Sequence, residues 1–118
     1  MRILVVDDTE TMRFLLSRYL GTLGHEVTAV GSGLEVPSQL AGSAFDAVLT
    51  DVAMPGCSGW EVLKAARAAC PGLPVILMTG WDDVRGRGPG GLAPDAVLDK
   101  PFTLERIREV LEAVGRPH

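Results

Sequence analysis

The sequence predicts an α/β fold, a three-layer, doubly wound sheet of five parallel strands with helices on both faces. Two observations predict it. Short apolar runs rich in β-branched residues recur along the chain, as in Ile3-Leu4-Val5-Val6, Val48-Leu49-Thr50 and Val75-Ile76-Leu77-Met78. Such runs are the signature of strands buried on both faces. Between them lie stretches whose apolar residues repeat at helical spacing, as in Met12, Leu15, Leu16, Tyr19, Leu20 and Leu23.

Taken in order, Ile3 to Val6 forms the first strand. Thr9 or Thr11 caps the helix that follows, and Gly24 stops it. Glu26 to Val30 is a short second strand, and a second helix spans about Leu34 to Ala41 with Pro37 inside it. Proline fits a first helical turn, where its missing N–H has no partner to lose, but disrupts any later turn. This helix is therefore expected to start late or bend. Ala47 to Thr50 is the third strand and Gly59 to Ala69 the third helix, ended by Pro71-Gly72. Val75 to Met78 and Ala96 to Leu98 complete the sheet. Thr103 caps a last helix that reaches about Val114 and stops at Gly115.

A chain of 118 residues is read as one domain, 1–118, with no output domain. Folding buries roughly two-thirds of the unfolded surface at this size, enough for one core. Net charge is −4, from 11 basic and 15 acidic residues, and no Lys/Arg stripe is present. Phosphate neutralisation needs concentrated positive charge, so the balance argues against direct nucleic-acid binding. Cys57 and Cys70 have no Cys or His at ligand spacing and read as reduced, packed thiols. No signal peptide opens the chain, and no apolar stretch reaches the ~18 residues of a membrane span. The expected location is cytoplasmic, with no membrane partner.

Acids close two of the strand-like runs: Asp7-Asp8 follow Val6, and Asp51 follows Thr50. In an open α/β sheet, ligands gather outside the carboxyl ends of the strands. Three carboxylates brought together there repel one another and need a cation, and hard oxygen donors in a small open site suit Mg²⁺.

Four segments, in this order and at this spacing, resemble the receiver domain of two-component response regulators. They are Val5-Val6-Asp7-Asp8, Asp51-Val52-Ala53-Met54-Pro55-Gly56-Cys57-Ser58-Gly59, Met78-Thr79-Gly80 and Lys100-Pro101-Phe102. The resemblance implies the flavodoxin-like strand order 2-1-3-4-5. It implies that Asp51 is a phosphoacceptor forming an aspartyl phosphate. Asp7, Asp8, Asp51 and the backbone carbonyl of Ala53 would hold Mg²⁺. Thr79 would donate its hydroxyl to the phosphoryl group, and Lys100 would neutralise developing charge on it. A cis bond before Pro101 is expected on the same ground. The implied donor is a sensor histidine kinase or phosphotransfer protein, docking on the first helix near Glu10, Thr11 and Phe14. The domain is expected to act alone, or else as a piece of a hybrid kinase, as a monomer or weak dimer, signalling to a downstream protein by contact or by onward phosphotransfer.

The chain also departs from that pattern. Val97 stands three residues before Lys100, where many receivers carry a Tyr or Phe that swings inward. Output is therefore expected to run through Thr79, Gly80 and the Trp81–Pro94 stretch. Gly80 leaves open space where a larger residue often limits access, and Trp81 beside it either fills space or serves in partner contact or gating. The fourth helix should fall within 82–94, but four glycines and a proline occupy residues 86–91, so a degraded, mobile segment is expected. Two other readings stand beside the switch. One is a receiver-like interaction module that is never phosphorylated. The other is a phosphohydrolase of the haloacid dehalogenase type, which needs a second Asp where Ala53 stands.

Overall fold

Ile3, Leu4, Val5 and Val6 are fully buried although they are consecutive, because the sheet is covered on both faces. The computed structural model describes residues 1–80 and 93–115. Strands β1 (Arg2–Val6), β2 (Glu26–Val30), β3 (Ala47–Asp51), β4 (Val75–Thr79) and β5 (Ala96–Asp99) form one parallel sheet in the order β2-β1-β3-β4-β5. Helices α1 (Glu10–Thr22), α2 (Val36–Gly42), α3 (Gly59–Ala69) and α4 (Leu104–Gly115) cover it.

Alternation along the strands divides the core in two. Leu4, Val6, Val48, Val75 and Leu77 pack with Val36, Leu40, Val62, Leu63 and Ala66 of α2 and α3. Ile3, Val5, Leu49, Ile76 and Met78 pack with Leu16, Leu20, Ile107, Val110 and Leu111 of α1 and α4. A single apolar run therefore serves both layers, which is why the strands read as continuous rather than alternating.

Helix ends follow the expected chemistry with one correction. Thr9 occupies the N-cap position of α1, but its side chain makes no capping bond, and Thr11 lies within the helix. The Thr9 backbone N–H is instead held by the Asp7 carboxylate at 2.8 Å. Gly24 closes α1 with φ +91°. The second helix does start late: Ser32 caps a 3₁₀ turn over Gly33–Glu35, and α2 follows with Pro37 in its first turn. Ser58 caps α3, and Thr103 accepts the Arg106 N–H at the start of α4.

Three strands run one residue beyond the apolar run, to Asp51, Thr79 and Asp99. Parallel pairing continues past the last apolar side chain, with Val52 N–H donating to Met78 O and Lys100 N–H to Thr79 O. The entry to β5 is clasped from α3. The Arg67 guanidinium donates to the carbonyls of Leu73 and Ala93 and to the Asp95 carboxylate, which also accepts the Val75 N–H. The expectations for Trp81 and for a degraded helix over 82–94 fall on a stretch of which 81–92 lies outside the described residues. Among the described residues, no helix is long and apolar enough to cross a membrane.

Candidate functional site

The strand order makes neighbours of the carboxyl ends of β1, β3, β4 and β5, and each delivers a polar side chain there. Asp7 follows β1 and is 1% exposed, while Asp51 ends β3 and is 5% exposed. Asp8, beside Asp7, is exposed. One carboxylate oxygen from each of Asp7, Asp8 and Asp51 lies within 4.8 Å of the others. Lys100, just past β5, reaches across to Asp51, with Nζ 3.0 Å from Oδ1. The peptide between Lys100 and Pro101 is cis.

Asp7 carries the strain of this arrangement. Its Oδ1 accepts the Thr9 N–H, and its backbone carbonyl accepts from Arg13 Nη1 at 2.8 Å. Its Oδ2 is buried and has no hydrogen-bond partner among the described residues. Burial pushes the Asp7 carboxyl above its ordinary range. The Thr9 N–H opposes that shift, the Asp51 charge adds to it, Lys100 opposes it and Asp8 adds a little more.

These features predict that Asp7→Asn stabilises the metal-free protein. The amide keeps the oxygen that receives Thr9, replaces the orphaned Oδ2 with a neutral donor, and removes one charge from a cluster of three acids. The gain should be about 1–3 kcal/mol, the ordinary cost of an unsatisfied buried polar group. Its pH dependence follows from the raised pKa. Just above the usual carboxylate range, native Asp7 keeps a proton that the unfolded chain has lost, so its contribution to stability falls as pH rises through that window. The advantage of Asn is therefore greatest near neutral pH and shrinks on acidification. Urea unfolding at several pH values measures it, and an unchanged or lower midpoint at neutral pH would contradict the account.

Thr79, at the end of β4, is 2% exposed. Its hydroxyl donates to Asp99 Oδ1 at 3.1 Å. Asp99 escaped sequence reasoning, although Leu98-Asp99 repeats the pattern of an acid closing an apolar strand. Ala53 lies exposed in the loop between β3 and α3. Val97 is half-buried on β5, and Phe14 is 60% exposed on α1.

A family model for the response regulator receiver domain matches residues 3–112. The chain belongs to that family. This receiver domain is 37% identical over 117 residues to the response regulator MprA of Mycobacterium avium, covering 98% of this chain and 51% of that protein. It is 38% identical over 117 residues to the transcriptional regulatory protein TcrA of Mycobacterium tuberculosis, covering 98% of this chain and 46% of that one. The receiver domain thus spans about half the length of the curated relatives it matches. Among solved structures, the response regulator TrrA of Thermotoga maritima, in complex with Mg²⁺ and BeF, matches with a TM-score of 0.87 and 31% identity, over 96% of this chain and 97% of that one. The flavodoxin-like receiver fold and its place in two-component signalling, expected from the four sequence segments, are both borne out.

Proposed function

We propose that the domain accepts a phosphoryl group on Asp51 in a Mg²⁺-dependent reaction, from a sensor histidine kinase or phosphotransfer protein. It then signals by protein contact or by onward phosphotransfer. The observation that carries this reading is the buried Asp51 carboxylate, 3.0 Å from the Lys100 ammonium and clustered with Asp7 and Asp8. In the transfer, an Asp51 oxygen attacks phosphorus in line, a P–O bond forms, the P–N bond to the donor imidazole breaks, and the imidazole leaves with the electron pair.

The acidic cluster fits a hard divalent cation. It offers oxygen donors only, and the buried Asp7 Oδ2 is a ligand atom in want of a partner. Asp7, Asp8, Asp51 and the Ala53 carbonyl would hold Mg²⁺, which when bound offsets the negative charge of the acids and of the incoming phosphoryl oxygens. The similarity to TrrA, solved with Mg²⁺ and BeF, supports the same assignment. Lys100 moves its ammonium from Asp51 toward the phosphoryl oxygens, and Thr79 donates its hydroxyl to one of them. Ala53 supplies no side-chain acid beside the acceptor, so the domain works as a switch and not as a hydrolase with turnover.

Incubation with phosphoramidate tests the metal requirement. Intact-mass spectra should show one added phosphoryl group with Mg²⁺ and none with excess chelator. Asp8→Ala should lose most labelling at low Mg²⁺. Labelling that is indifferent to the chelator would overturn the metal assignment.

A further inference from the structure

We propose that Asp99 is a positioning residue, which holds the Thr79 hydroxyl in the unphosphorylated domain and competes with the phosphoryl group for it. The inference rests on the reading of Asp51 and Thr79 given above. Thr79 and Asp99 are register partners across the β4–β5 ladder. The Lys100 N–H to Thr79 carbonyl bond, at 2.8 Å, fixes the two strand ends beside each other. Across that fixed pair, Thr79 Oγ1 donates to Asp99 Oδ1 at 3.1 Å.

A hydroxyl has one proton to donate. Thr79 cannot give it to Asp99 and to a phosphoryl oxygen together, so one bond must break before the other forms. The exchange is uneven in its surroundings. Thr79 is almost wholly buried, so its proton has little water to turn to. Asp99 is exposed, so its carboxylate is rehydrated as soon as it is released. The exchange therefore costs little, and Asp99 sets a modest threshold without blocking the switch.

The end of β5 thus carries two opposed groups on adjacent residues. Lys100 points its charge at the acceptor, while Asp99 occupies the threonine hydroxyl. Release of Asp99 also leaves a free carboxylate at the surface beside Lys100. That gives a partner a change to read in a chain whose Val97 has no ring to swing.

Beryllofluoride binding in Mg²⁺, measured by titration calorimetry, tests the competition. Asp99→Ala should tighten binding by about three- to tenfold, the net scale of one ordinary hydrogen bond, because the exposed Asp99 carboxylate is rehydrated on release. Asp99→Asn retains a neutral acceptor and should fall between Ala and wild type. In a background without the hydroxyl, Thr79→Val or Thr79→Ala, the Asp99→Ala effect should largely vanish. An equal gain in both backgrounds would mean that Asp99 acts only through its charge, and no gain with Thr79 present would remove its role altogether. Either result overturns the proposal while leaving phosphorylation of Asp51 intact. Failure of the wild-type domain to bind beryllofluoride would instead overturn the reading on which it rests, and this inference with it.

Discussion

Asp51→Asn is expected to abolish phosphorylation while leaving the domain folded. Wild-type protein treated with phosphoramidate or acetyl phosphate and Mg²⁺ should gain one phosphoryl group, and the Asn variant none. The Asn amide has no anionic oxygen to attack phosphorus, so the loss should be complete and not graded. Asp7 and Asp8 do not substitute for it. Asp7 is buried with its carboxyl pushed toward the protonated form, and Asp8 lacks the Lys100 partner that Asp51 has at 3.0 Å. The fold should not suffer, because the substitution is isosteric and removes one of three mutually repelling acids. Intact-mass spectra, with unfolding curves run in parallel, separate lost chemistry from lost structure. Equal labelling of the Asn variant would place the acceptor elsewhere.

The acids Asp7 and Asp51 were legible in the sequence because each closes a strand-like apolar run, whereas Thr79 and Lys100 were legible only through the resemblance to receiver domains. Asp7 after Val6 and Asp51 after Thr50 change from apolar to acidic within one residue, where a parallel strand leaves its core. Side-chain alternation then dictated two helical layers, and the structure shows Leu4 and Val6 in one, Ile3 and Val5 in the other. What escaped was non-local. The bond between Thr79 and Asp99 depends on the pairing of β4 with β5, which neither segment specifies by itself. An acid beside a lysine reads locally as a solvated pair, and Asp99 gained its meaning only from what lies opposite. Thr9 is a second case. It stands where a cap belongs, yet its side chain makes no capping bond, and its own N–H serves the Asp7 carboxylate of the acidic cluster. Hydrogen-bond partners at a functional site are set by that site as much as by local propensity.

Gly59 should tolerate no side chain, and the cost of adding one should reach the chemistry. It is the first residue of α3 and lies against the exit of β3, with its N–H donating to Val52 O at 2.9 Å. A Cβ placed there would meet Asp51 O at 2.5 Å and Val52 Cα at 2.8 Å. Both are backbone atoms, so no side-chain rotation relieves the clash and the peptide that carries Asp51 must move. Gly59→Ala should cost about 1–3 kcal/mol, as overpacking does, and Gly59→Val more. The rate of Asp51 phosphorylation should fall too, beyond any loss of folded protein, because the carboxylate no longer faces its donor as it did. Gly21 supplies the comparison. It lies in α1, and a Cβ added there would meet nothing within 4 Å. Gly21→Ala should therefore stabilise the protein by up to ~1 kcal/mol through helix propensity alone, leaving phosphorylation unchanged. The same added methyl group thus carries opposite signs at the two positions, decided by the space beside it. Urea unfolding of the two variants reads this directly, and a Gly59→Ala midpoint equal to wild type would show that the junction of β3 and α3 yields more than its packing implies.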